Sequence, residues 1–146
     1  MSHSAPSTAA TRFLRYVTFD TQSADQSESY PSTAKQLVLL RHLVDELKDM
    51  GIDAAGIDQY GYVMATIPAT PGKEQVSVIG FVAHVDTSPD VSGAGVRPIV
   101  HANYDGRDLV LPDDPSMVLR EADNPELAEQ HGHDIITASG LTLLGS

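Results

Sequence analysis

The run VSVIGFVAHV, residues 76–85, constrains the fold more than any other stretch of this chain. It is nearly continuous in apolar residues where a half-exposed strand would alternate, which is the pattern of a strand covered on both faces. Such a strand needs paired neighbours and packed layers, so an α/β fold is expected: a mixed sheet with flanking helices. At its carboxyl end the run delivers His84 and Asp86, then breaks into the polar loop TSPDVSG. Ligands of open α/β sheets bind outside the carboxyl ends of strands, which makes this end the place to look for chemistry.

The neighbouring segments supply candidate layers. Residues 1–10 are small and polar and read as a flexible N-terminus, leaving 11–146 as a single domain or part of one. Phe13, Leu14 and Val17 predict a short amphipathic helix from about 9 to 19, with Arg12 and Arg15 outside. The polar stretch DTQSADQSESYPS follows as a loop. Thr33 and Gln36 form a capping-box pattern ahead of a second helix, whose stripe Leu37, Leu40, Val44 and Leu47 would cover the sheet. Gly51 gives its stop. Residues 52–57 and 62–67 read as a hairpin turning through DQYG. Beyond Pro89 the chain is punctuated by glycine and proline. Apolar pieces near Ile99, at 109–111 and at 135–137 remain, with two short strands expected at the end, joined by Ala138-Ser139-Gly140. No internal repeat is visible.

Charge and composition exclude several functions. With Lys+Arg 9 against Asp+Glu 20, the net charge of −11 repels phosphate backbones and anionic lipid, so nucleic-acid and membrane partners are not expected. No run is long and apolar enough to span a bilayer, and the opening MSHSAPSTAAT is not a signal peptide, so the expected location is the cytoplasm. Without cysteine, any metal would be held by His, Asp and Glu. Gly93-Ala94-Gly95 lacks the third glycine of a dinucleotide loop, since Pro98 stands there, and neither a P-loop nor a G-x-S-x-G elbow occurs.

Residues two apart on a strand point to one side, so His84 and Asp86 would enter one pocket. An imidazole there can ligate a metal while the carboxylate fixes the ring. The same residues also fit a plain strand end and an Asp-Pro turn, and spacing alone leaves both readings open. His131-Gly132-His133 has metal-ligand spacing but reads as a solvated loop, His42 as the polar side of the second helix, and His3 as part of the loose start. His101 and Asp90 fit either a pocket or a surface, Asp90 as a turn or cap.

The surroundings of the pair carry a family likeness. GF followed by HVDTSPDVSG (His84 to Gly93) closely resembles the peptidase T family, tripeptide aminopeptidases of the zinc-dependent aminoacylase and carboxypeptidase clan. FLRYVTFDTQS, PST with Gln36, Glu46-Leu47 with Met50-Gly51, Gly61 to Pro68 with MATIPA, Asn103-Tyr104 and the closing TLLG match in the same order. The resemblance covers almost everything after residue 11.

It implies that His84 binds one of two zinc ions and that Asp86 orients it in the catalytic site. It further implies metal-assisted hydrolysis of small peptides, with a glutamate as general base. The bridging aspartate, that glutamate and the remaining ligands would lie beyond Ser146. The expected molecule is therefore the incomplete N-terminal part of a zinc-exopeptidase catalytic domain, inactive alone and, through unpaired strand edges, prone to associate as a homo-oligomer. Two alternatives stand beside it: another amidohydrolase of the clan, such as a dipeptidase, carboxypeptidase or deacylase, and a non-catalytic folded module.

Overall fold

A computed structural model describes residues 8–144. The expectations for His3, residues 1–7, Gly145 and Ser146 lie outside them.

Helix α1 spans Thr8–Tyr16, starting close to the expected residue 9 and ending three residues before the expected 19. Helix α2 spans Gln36–Asp49 and buries Gln36, Leu39, Leu40 and Val44. The two are clasped through polar groups. Glu46 accepts from Arg12 Nε at 2.6 Å and from the Tyr16 hydroxyl on its other oxygen. Arg12 reaches across to α2 with its side chain still 39% exposed, and Phe13 is 38% exposed. His42, expected on a polar face, stacks on the Phe19 ring at 5.3 Å. What joins α1 to α2 is this ion pair and aromatic contact, which an apolar periodicity does not report.

The capping box does not form. The Thr33 hydroxyl donates to the Gln22 carbonyl at 2.7 Å, and the Gln36 amide reaches back to Ser32 Oγ at 3.0 Å and Thr33 Oγ1 at 3.2 Å. The hydroxyl oxygen accepts from the Gln36 side chain, and no N–H of α2 is capped by a side chain. The stop is as expected: Gly51 takes φ +88 and its N–H bonds the Lys48 carbonyl, closing the last turn.

The hairpin is real but short. Strand β1, Gly56–Ile57, pairs antiparallel with β2, Val63–Met64, and α2 packs on both. Its turn uses Gly61 at φ +91, where an added Cβ would come within 3.2 Å of Pro31 and 3.4 Å of Leu40. Further along, β3 (Ile99–His101) pairs with β6 (Ile135–Thr137), and β4 (Leu109–Leu111) with β5 (Asp114–Leu119). Among the described residues the strands make three separate two-stranded antiparallel sheets. A second core gathers Val96, Tyr104, Leu109, Leu111 and Ala138. Tyr104 is its centre, 1% exposed, with its backbone bonded to His133 O and Gly132 N at 2.8 and 2.7 Å.

The larger departures concern strands. Residues 76–86 form no strand, although a central buried one was expected. Val78, Phe81 and Val82 are 96%, 96% and 100% exposed, and every residue from 64 to 84 is exposed. The apolar pattern describes a residue's preference, whereas burial requires partners, and no described segment pairs with this run. Among the described residues no strand follows Gly140 either: β6 pairs with β3, and Leu143 N–H bonds the Ser92 carbonyl. Strand β5 went unread because Pro115 lies inside it; that position is tolerable near the start of an edge strand.

Charge linkage gives the clasp a pH signature. The bonds from Tyr16 and Arg12 hold the Glu46 carboxyl below its usual range. Its contribution to stability is therefore complete above about pH 4.3 and is lost as the pH falls through the depressed value. Partial burial and the Glu46 bond push the Tyr16 phenol up to about 12, so stability falls again above about pH 10. In urea titrations across pH, Glu46→Gln is expected to flatten the acid limb. Tyr16→Phe is expected to flatten the alkaline one and to cost about 1 kcal/mol at neutral pH. The bare apolar run is expected to bind a hydrophobic dye, and Val78→Lys with Phe81→Lys to lower that fluorescence while helical circular dichroism stays unchanged.

Candidate functional site

His84 and Asp86 do come together. The ring Nδ1 lies 3.0 Å from the Asp86 carbonyl and 3.2 Å from its Oδ1. Two oxygens facing one nitrogen require that nitrogen to donate, so the neutral ring carries its proton on Nδ1 and its lone pair on Nε2. Both side chains are open to solvent, 66% and 48% exposed. That is how a ligating imidazole with its orienting carboxylate is arranged.

With no sheet around it, the pair is placed by the loop that follows it. Thr87 forms an isolated parallel bridge with Gln22. Its N–H donates to Thr21 O at 3.2 Å, and its carbonyl accepts from Ser23 N and Ser23 Oγ, both at 2.9 Å. The Gln22 carboxamide donates to Pro89 O at 2.9 Å and Val91 O at 3.3 Å. Residues 21–23 thus hold the TSPDV loop from behind. They fall in the polar stretch that carries no periodicity, and the only sequence signal for them was the family likeness of DTQS. Asp90 keeps to its own turn, accepting from Ser88 Oγ at 3.1 Å.

In front of the pair runs a groove of about 770 Å³ between the unpaired run and α2 with its hairpin. Leu40, Leu43, Leu47, Val63 and Phe81 line it, with His84 and Asp86 along the same wall. It is wide, apolar and open.

The other histidines are elsewhere. His101 bonds Thr137 Oγ1 at 2.9 Å, and burial, helped by Arg107, pulls its pKa below the usual value. His131 does not simply point into solvent: it pairs with Glu121 and meets the Tyr104 ring edge-on at 5.7 Å. Among the described residues no group of three or more His, Asp and Glu could hold a metal ion. A catalytic zinc takes three protein ligands, so one imidazole beside a carboxylate does not by itself fit the metal.

No protein-family model matches the chain. Individual relatives do. Over 135 residues, 92% of the chain, it is 49% identical to a protein of Listeria monocytogenes named peptidase T, and 50% identical to one of that name in Clostridium acetobutylicum. A peptidase T of Halothermothrix orenii is 47% identical over the same length. The match occupies 33% of each relative, so the chain spans about one third of their length. The likeness read from the motifs is homology along almost the entire chain.

The geometry of the pair is open to direct measurement. In the neutral His84 ring, nitrogen-15 chemical shifts are expected to report protonation on Nδ1. A ring protonated mainly on Nε2 would contradict the contacts described.

Proposed function

We propose, from that kinship, that this chain is part of a peptide-hydrolysing enzyme: an aminopeptidase that removes the N-terminal residue of tripeptides, uses zinc, and works in the cytoplasm. The observation that carries the reading is the His84–Asp86 contact, found in a chain half identical to proteins named peptidase T. His84 is assigned as a ligand of one of two zinc ions through Nε2, and Asp86 as the carboxylate that keeps its proton on Nδ1. The peptidase fold would complete a sheet around residues 76–85. No described helix is long and apolar enough to cross a membrane. The 146 residues alone are proposed to be inactive, because the described donors stop at one imidazole, and to self-associate through the uncovered run.

The test uses the polypeptide extended to the length of its relatives, assayed on tripeptides, dipeptides and N-acyl amino acids. Tripeptides are expected to give the highest kcat/KM, and Asp86→Ala to lower activity by about 10- to 100-fold, the usual effect of losing a ligand's carboxylate partner. Equal or better turnover of N-acyl amino acids would move the reading to a deacylase. For the 146-residue chain, calorimetric titration with zinc is expected to show no tight stoichiometric site. Submicromolar binding abolished by His84→Ala would overturn the assignment of an incomplete donor set.

A further inference from the structure

We propose that Gln22 is a positioning residue of the His84–Asp86 pair: its carboxamide holds the loop after Asp86 so that the Asp86 carbonyl and Oδ1 face the imidazole Nδ1. The inference rests on the reading of His84 as a ligand steadied by Asp86.

The residues after Asp86 are fastened to residues 21–23, Thr87 through its backbone to Thr21 and Ser23 and the following residues through Gln22. Gln22 engages these through two donated bonds, to Pro89 O and Val91 O. The rest of the residue is engaged as well. Its Oε1 accepts from Lys35 Nζ at 3.2 Å, its N–H donates to Asp20 Oδ1 at 3.1 Å, and its carbonyl accepts from Thr33 Oγ1 at 2.7 Å. Lys35 also bonds Asp20 at 3.0 Å. Partial burial pushes the Asp20 carboxyl up, and the bonds from Lys35 and the Gln22 N–H outweigh it and hold it below the usual range. One residue, through its backbone and its side chain together, therefore joins the loop after α1, the approach to α2 and the loop after Asp86.

The chemistry demands an amide. The terminal nitrogen must donate to two carbonyl oxygens while the terminal oxygen accepts from an ammonium group. A carboxylate of the same size satisfies Lys35 but turns lone pairs toward Pro89 O and Val91 O, and alanine satisfies neither side.

The experiment compares the wild-type chain with Gln22→Glu and Gln22→Ala, reading the His84 tautomer by nitrogen-15 shifts and amide hydrogen exchange at Ser23 and Thr87. Both variants are expected to speed that exchange by about tenfold, the net worth of about one hydrogen bond. Both are also expected to move the neutral His84 ring from the Nδ1–H toward the Nε2–H form. A ring on Nδ1 in the wild type that stays there in both folded variants overturns the role of Gln22 alone. A wild-type ring already on Nε2 overturns the reading of the pair, and the inference with it. Loss of helical circular dichroism in both variants would make Gln22 a strut of the whole fold and likewise overturn the positioning role.

Discussion

A strand covered on both faces depends on hydrogen bonds along its edges and on side chains above and below; the chain's own preference for extended geometry does not supply them. Residues 76–85 have the composition of such a strand and none of its partners among the described residues. Much of the architecture follows from that. The hairpin β1–β2 stays two-stranded, α2 buries one part of its surface and leaves another facing the groove, and the sheets remain separate pairs. Full exposure of Val82, Phe81 and Val78 forgoes a burial gain of roughly 1.5–3 kcal/mol for each such side chain.

The site survives this because its geometry is local. The two oxygens of Asp86 facing one ring nitrogen need a turn of fixed shape, and that shape is enforced by bonds to residues 21–23. A continuous apolar strand would deliver the same two side chains to the same side, so the loop and a completed sheet would act as redundant supports. Neither requires the other for the imidazole to be steadied.

Legibility in the sequence followed the range of the interaction. Helix α2 was readable because its stripe recurs with helical period and Gly51 ends it, and the hairpin because Gly61 permits its turn. The pairing of His84 with Asp86 was readable because it spans two residues. Features decided by distant partners were not. Arg12 finds Glu46 across 34 positions, Thr33 gives its hydroxyl to a loop carbonyl, and Gln22 reaches Pro89 across 67 positions. The apolar run misled for the same reason: its pattern implies a covered position, and coverage is a property of other segments.

The exposure of residues 64 to 84 has one more implication, for how long the molecule lasts. Beyond Met64 its backbone has neither ladder bonds nor cover and fits a protease cleft with little local unfolding, so cleavage would fall first in this stretch. The pieces on either side stay fastened by the bonds between residues 21–23 and 87–91, and a nicked molecule would keep the imidazole and its carboxylate in register while losing the continuity of the chain in front of them.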